Sequence, residues 1–173
     1  MEKNKIKYSS GFTIVELLLY VAISSVMLLT ISLFLQTLLE SKIKNQTVAE
    51  VEQQGLQAMQ MITQTARNAD AINSPARGAS ASLLSINTYI INNNPTIFDL
   101  FGGAIRVKEG VVAAVPLTNS RVIASALDFQ NLSRADTPGT IRIQFTLTHI
   151  NPENKNEYDF SKTFIGSASL RQP

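Results

Sequence analysis

The sequence predicts an α+β fold, in which one long N-terminal helix, about residues 12–73, packs its second half on an antiparallel sheet. Residues 17–39 contain neither a charged residue nor a proline, which favours an uninterrupted apolar helix. Proline is absent from residue 12 until Pro75, and apolar or small residues still recur every three or four positions through this stretch. Beyond Pro75 the apolar period changes to two, which is typical of strands.

The apolar run at residues 17–39 is long enough to cross a bilayer. As a helix it would extend roughly 35 Å at about 1.5 Å per residue, and a hydrocarbon core is about 30 Å thick. A secretory signal peptide has a shorter apolar region, of about 7–15 residues. Three lysines in the first seven residues predict a cytoplasmic N-terminus, with the chain after residue 40 on the far side of the membrane. Lys42 and Lys44 weaken that prediction slightly.

The net positive charge of the chain comes from its first residues. Removing residues 1–11 lowers the number of Lys and Arg residues from 15 to 12 and that of Asp and Glu from 13 to 12. The remaining side chains are therefore neutral overall, and no nucleic-acid-binding module is evident. Cysteine is absent, which excludes disulfides and thiolate metal sites.

A short motif spans the boundary between this basic leader and the apolar run. The leader "MEKNKIKYSSG" followed by "FTIVELLLYVAI" resembles the type IV prepilin signature, with glycine before the cleavage site, phenylalanine after it and glutamate as the fifth mature residue. The resemblance implies that a membrane aspartyl prepilin peptidase cleaves after Gly11 on the cytoplasmic side and methylates the new amino group of Phe12. Glycine also lets an extended backbone enter a protease site without a side chain in the way.

Glu16 stands where the apolar run begins, so its charge requires an explanation. A charged side chain in hydrocarbon costs several kcal/mol or more, which makes it a functional hypothesis by default. In a pilin-like assembly, the cationic amine of Phe12 on a neighbouring subunit would pair with Glu16 and set the register. Removing one partner of a buried pair costs about 3–5 kcal/mol. The alternative is a glutamate that snorkels to the headgroups from the end of the helix.

The stretch from residue 41 to 73 keeps helical spacing but becomes polar, which predicts a helix lying against a sheet. A coiled coil is less favoured because glycine and alanine make poor knobs. Gly55 is a candidate bend or a place of close packing, and "NADAINSP" ends the helix at Pro75. The predicted buried face consists of Val48, Val51, Gly55, Ala58, Ile62, Ala66 and Ala69, broadened by Leu56 and Met59.

Several segments after Pro75 predict antiparallel strands. The clearest is "TIRIQFTLTHI", in which apolar residues alternate with polar ones from Thr140 to Ile150. "GAIRVKEGVVAAVP" predicts a hairpin that turns at Glu109 and Gly110. Two further segments predict strands, but each has an alternative: "SLLSINTYII" could instead be a short buried helix, and "RVIASALDFQNL" is one strand or a pair of short strands. The segment "FSKTFIGSASLR" predicts the returning strand.

No constellation of catalytic or metal-binding residues is evident in the sequence. His149 is the only histidine, so zinc clusters of paired histidines are excluded, and we interpret it as a partly exposed imidazole at a strand end. Glu153, Glu157 and Asp159 lack the spacing of a calcium loop and are interpreted as a solvated loop. The sequence therefore predicts no enzyme activity, no cofactor and no metal site.

The helix "QQGLQAMQMITQTARNADAI", the strands "LDFQNL" and "TIRIQFTLT" and the terminal "SASLR" are similar to W-type minor pilins and J-type minor pseudopilins. The resemblance implies a pilin-like lollipop and a structural role in a type IV pilus, a type II secretion system or a DNA-uptake (competence) pseudopilus, with a possible place in an initiating tip complex. The implied partners are other major and minor pilins or pseudopilins, the prepilin peptidase, an inner-membrane assembly platform and membrane lipid.

The implied location is the inner (cytoplasmic) membrane, with a single span and an extracytoplasmic domain, followed by the filament. The alternative is a signal-anchored single-pass protein whose outer domain is a ligand-binding module. The predicted domains are a leader at 1–11, a membrane and filament-core half-helix at 12–40, an amphipathic half-helix at 41–74 and a β-rich part at 75–173.

Overall fold

One α-helix, α1, runs from Ile14 to Arg67 in the computed structural model, which describes residues 11–171. The predicted long N-terminal helix is thereby confirmed. Two short 3-10 helices cover Ile91–Asn93 and Asn156–Tyr158. The chain divides into two units between Lys42 and Ile43, and α1 contributes residues to both. The first unit, as described, contains only the apolar part of the helix with the residues before it. The second contains the rest of the helix and all the strands.

The predicted end of the helix at residue 73 is wrong, because α1 ends at Arg67 and residues Ala69–Ser74 form a strand. The amide of Asn68 closes the last turn by donating to the carbonyl oxygens of Gln64 and Thr65, at 3.1 and 3.2 Å. Asparagine and aspartate favour caps and turns over helix interiors. Strand pairing therefore replaces helical hydrogen bonding here, well before Pro75 is reached.

Nine strands form two antiparallel sheets in the described residues. The five-stranded sheet has the order β1-β3-β4-β5-β6, and the four-stranded sheet the order β2-β7-β8-β9. The strands are β1 (Ala69–Ser74), β2 (Ser80–Ala81), β3 (Leu84–Thr88), β4 (Thr96–Phe101), β5 (Ala104–Glu109), β6 (Val115–Pro116), β7 (Val122–Asn131), β8 (Thr140–His149) and β9 (Ser161–Ser169).

The strand predictions are confirmed for β3, β7, β8 and β9, but the expected single sheet is wrong. The hairpin after Gly103 is confirmed only in part, because β6 is just two residues long and a loop replaces most of the predicted return strand. The strand β4, "TIFDLF", was not predicted at all. It pairs with both β3 and β5, so sheet formation decides its conformation.

Strand β8 shows why the alternating pattern predicted its environment correctly. Its residues Ile141, Ile143, Phe145 and Leu147 are each 0% exposed, whereas the residues between them are exposed or half-buried. Successive side chains in a strand point to opposite faces, so one face of β8 enters the core and the other meets water.

The part of α1 that belongs to the second unit buries a stripe of small and apolar residues against the sheets, as expected. The prediction for Leu56 is wrong, since this side chain is 63% exposed, and Val48 is only half-buried. Close packing at Gly55 is confirmed, because the ring of Phe164 from β9 occupies the position that a Cβ atom would take. The buried helical residues are Thr47, Val51, Gly55, Ala58, Ile62 and Ala66.

Candidate functional site

The first turn of α1 is closed by reciprocal hydrogen bonds between Thr13 and Glu16. The Thr13 amide and hydroxyl both donate to Oε2 of Glu16, each at 3.0 Å. The Glu16 amide in turn lies 3.3 Å from the Thr13 hydroxyl oxygen and donates to it. This arrangement is a capping box, which satisfies amide groups that the first turn of a helix leaves without intrahelical partners.

Thr13 is a residue that the sequence reasoning missed. Its signal is the spacing "TIVE", in which a threonine precedes a glutamate by three positions at the start of an apolar run. The structure therefore gives Glu16 a partner within its own chain, in addition to any partner on another subunit. All of these hydrogen bonds to the carboxylate use Oε2, and no hydrogen bond to Oε1 occurs among the described residues.

Gly11 and Phe12 lie immediately before this cap. Among the described residues, no atom beyond the chain neighbours of Gly11 would lie within 4 Å of a Cβ atom built there. Phe12 is 72% exposed, and its ring contacts Tyr20 edge-on with centroids 5.8 Å apart. The structure thus places Gly11 and Phe12 in the exposed segment just before α1, and Glu16 in the exposed first turn of the helix.

The apolar part of α1 has no covering within the first unit. Every residue from 11 to 42 is exposed, and the segment is long and apolar enough to cross a membrane. Its hydroxyl groups donate to carbonyl oxygens of the preceding turn, as Ser25 does to Val21 and Ser32 does to Leu28, both at 2.8 Å. Such internal bonds satisfy the hydroxyl groups of these side chains within the helix itself.

No family model, curated protein or solved structure matches the chain.

Lys44 connects the helix to the segment before β9, within the second unit. Its ammonium donates to the carbonyl oxygens of Asn156 and Asp159, at 2.9 and 2.5 Å. This contact gives Lys44 a structural role that the sequence did not indicate. The lysine that weakened the topology prediction is therefore engaged by the folded domain.

Replacing Lys44 with methionine is expected to loosen the segment from residue 151 to 159. Methionine keeps most of the aliphatic stem but removes two charge-assisted hydrogen bonds, which are each worth about 1.5–3 kcal/mol. Amide hydrogen exchange in this segment should accelerate at least tenfold, with little change in β8. Lys42→Met is the matched control, because Lys42 makes no hydrogen bond among the described residues; equal exchange in both variants would contradict the role of Lys44.

His149 is more enclosed than the sequence suggested, with a side chain that is only 11% exposed. Its ring stacks on Tyr158 at a centroid distance of 5.7 Å, and Nε2 lies 3.8 Å from Oε2 of Glu50. The same glutamate accepts hydrogen bonds from Asn119 and Arg121, at 3.0 and 3.4 Å. These contacts join α1 to the loops that flank β7 and β8, so they account for the histidine structurally.

The acidic loop predicted to be solvated is exposed at Glu153, whose carboxylate lies 2.6 Å from the Lys155 ammonium. A hydrogen bond from Lys155 lowers the pKa of Glu153 below its ordinary value, and the same bond raises the pKa of Lys155. Among residues 11–171, no group of three His, Cys, Asp or Glu residues could hold a metal ion.

A cavity of about 560 Å³ lies beside β1, where the loop that connects β7 to β8 meets the residues just after β9. Two carboxylates and two guanidinium groups line it: Asp70, Asp136, Arg77 and Arg171. The lining is therefore mostly polar, whereas small-molecule pockets are lined mainly by apolar side chains.

Proposed function

We propose that this chain is a type IV pilin-like structural subunit, a minor pilin or pseudopilin that is cleaved after Gly11 and assembled through α1. One observation carries the proposal: an accessible Gly11–Phe12 bond lies four residues before a capped carboxylate, at the head of an exposed apolar helix. That helix continues into a folded α+β domain. In such a subunit the Gly11–Phe12 bond is the site of cleavage, and the apolar helix with its Glu16 carboxylate packs against neighbouring subunits.

Processing requires a peptidase to take the chain around Gly11 in an extended form. Within residues 11–171, no atom beyond the chain neighbours lies near a Cβ position at Gly11, which supports access to this bond. Cleavage would leave Phe12 as the new N-terminus, one residue before the Thr13 cap. The positive end of the helix and the new amine would then be adjacent, which concentrates positive charge beside Glu16.

Assembly places two conditions on the Glu16 carboxylate. It must be hydrogen-bonded in the single subunit, and it must then bind one particular group of a neighbouring subunit. The capping box supports the first condition, since Oε2 is hydrogen-bonded to Thr13 within the chain. Oε1 supports the second, because it retains the capacity to accept from the methylated amine of Phe12 on a neighbouring subunit. In a low-dielectric filament core such a pair sets the helix register.

The exposed apolar part of α1 would lie in lipid before assembly and against other pilin helices afterwards. The proposed location is the inner membrane with the strands on the far side, followed by a pilus, a secretion pseudopilus or a DNA-uptake filament. The partners are other pilins, the prepilin peptidase and the assembly platform. A W-type or J-type minor subunit is the proposed subtype, and no enzymatic activity is assigned.

The test is the intact mass of the purified chain after expression with and without a prepilin peptidase. A chain that starts at N-methylated Phe12 is expected only with the peptidase. Gly11→Val should abolish cleavage, because its branched side chain would obstruct the extended backbone at the cut, whereas Ser9→Ala should be processed normally. An intact leader in the presence of an active cognate peptidase would sink the proposal and favour a signal-anchored module that uses the cavity beside β1.

A further inference from the structure

The ring of Phe12 folds back along α1 and contacts the ring of Tyr20. The two rings meet edge-on, with centroids 5.8 Å apart and planes inclined by 72°. Since the helix begins at Ile14, Tyr20 lies about 9 Å further along the helix axis. A Phe12 that continued away from the helix end would be out of reach of this ring. The contact therefore fixes the direction of residue 12 relative to α1.

The geometry of this contact is one that aromatic pairs favour. The edge of one ring carries partial positive charge and meets the negative face of the other, at centroid distances of about 4.5–7 Å. Side chains of a helix also tilt toward its N-terminus, which brings the Tyr20 ring over the turn nearer to Phe12. The contact is thus formed by residues of the helix start alone.

The peptide unit on the other side of Phe12 is held as well. The Thr13 amide donates to Oε2 of Glu16 at 3.0 Å, which fixes the peptide unit that joins Phe12 to Thr13. Residue 12 is therefore attached to the helix both through its ring and through its carbonyl side. The backbone nitrogen of Phe12 is bonded to the Cα atom from which both attachments extend. Cleavage after Gly11 would turn this nitrogen into the N-terminal amine.

A fixed amine has an advantage in binding over a mobile one. The first residues of a chain are ordinarily poorly ordered, and a mobile group loses conformational entropy when it is bound. We propose that Tyr20 is a positioning residue, which holds Phe12 against α1 and so fixes the direction of the mature amine before it pairs with Glu16 of a neighbouring subunit. The inference rests on the function proposed above and adds to it a residue outside the cleavage motif.

A tyrosine near the start of an apolar span has a second explanation. Tyrosine is enriched at membrane–water interfaces, where its polar end lies at the level of the headgroups. That role requires the hydroxyl group, whereas the contact with Phe12 requires only the ring. The two explanations therefore predict opposite behaviour for Tyr20→Phe.

The test compares Tyr20→Phe with Tyr20→Leu in the full-length chain, expressed with the prepilin peptidase and the partner pilins. Phenylalanine keeps the ring, whereas leucine keeps an apolar side chain without a ring. The measured quantity is the ratio of mature chain recovered with filaments to mature chain left in the membrane. Tyr20→Phe should match the wild-type chain. Tyr20→Leu should lower the ratio by about threefold, since an aromatic pair contributes a few-fold to an equilibrium beyond its buried area.

The same comparison in a Phe12→Leu background gives a readout that a role of Tyr20 in helix packing would not change. If Tyr20 acts through Phe12, the difference between Tyr20→Phe and Tyr20→Leu should disappear in this background. A difference that persists there overturns the proposal, and so do equal ratios for the two variants when Phe12 is present. A loss in Tyr20→Phe overturns it as well and would assign the hydroxyl to the membrane interface.

Two further measurements separate this inference from the proposed function. The intact mass of each variant reports whether the leader has been removed. A leader that is kept in the presence of an active cognate peptidase refutes the proposed function and this inference with it, whereas a processed chain that assembles equally well as Tyr20→Phe and Tyr20→Leu refutes the inference alone. A nuclear Overhauser contact between the Phe12 and Tyr20 rings is expected for the mature chain in detergent micelles, and its absence would also overturn the proposal.

Discussion

Glu16→Gln is expected to abolish co-assembly of the mature chain with its partner pilins while leaving α1 intact. Glutamine is isosteric and is accepted at this position of a capping box, so the hydrogen bonds from Thr13 are retained. The lost quantity is the negative charge that would pair with the amine of Phe12 on a neighbour. Removing one partner of a buried pair costs about 3–5 kcal/mol, a change of about two to three and a half orders of magnitude in association.

The measurement is the fraction of the mature chain recovered with filaments of its partner pilins, relative to the fraction left in the membrane. Thr13→Ala is the matched control, because it removes the capping hydroxyl and keeps the charge of Glu16. Losing a cap costs about 1 kcal/mol, so this variant should assemble with at most a modest loss. Normal assembly of Glu16→Gln would refute the charge pair, and equal losses in both variants would assign the defect to the helix start.

Gly55→Ala is expected to destabilise the second unit by about 2 kcal/mol, although alanine is the better helix former. Alanine gains up to about 1 kcal/mol of helix propensity over glycine, but its methyl group would occupy the position of the Phe164 ring. Overpacking a core typically costs about 1–3 kcal/mol, and more where the neighbour cannot move. Phe164 is only 7% exposed and stacks on Phe145, so its ring has little free space.

Urea unfolding of the full-length chain in detergent micelles, followed by the circular dichroism of the strands, measures this free energy. Gln57→Ala on the exposed side of the same helix is the control and should change it little. Phe164→Ala alone should cost about 3–5 kcal/mol. The double variant Gly55→Ala with Phe164→Ala should cost less than the sum of the two, because the new methyl group enters the vacated space; strict additivity would contradict the contact.

Periodicity predicted the elements in which local pattern and tertiary environment agree. The alternation from Ile141 to Leu147 identifies β8 and its buried face, and the spacing from Val51 to Ala66 identifies the buried stripe of α1. Leu56 departs from this agreement. It lies beside the stripe in a helical projection, but the sheets cover a narrower face than hydropathy suggests, and only the packing partner defines that width.

The elements that the sequence did not predict correctly are decided by pairing across long separations. Strand β4 follows an asparagine-rich stretch and is short, and its hydrogen bonds come from β3 and β5. Strand β1 continues a helical pattern, yet Ile72 pairs with Ile86 and so leaves the helix. A single-sequence pattern contains no information about which partner strand will be near.

At the candidate site, the sequence indicated Gly11, Phe12 and Glu16 through a motif, whereas Thr13 required attention to helix-end chemistry. Glu16 belongs both to the prepilin-like motif and to the capping box with Thr13, and its carboxylate can serve in both. The environment of His149 was not predictable, since Glu50 and Tyr158 reach it from segments distant in the chain.

The contact between Gly55 and Phe164 joins the first element of the second unit to its last strand. Lys162 and Glu52, 110 positions apart, are hydrogen-bonded beside it. A chain delivered N-terminus first must therefore wait for β9 before the stripe on α1 is covered. Contacts of such long separation slow folding. Since synthesis also proceeds from the N-terminus, the apolar stripe of α1 stays uncovered until β9 has been made, and the exposed stripe is a site at which the incomplete chain can aggregate.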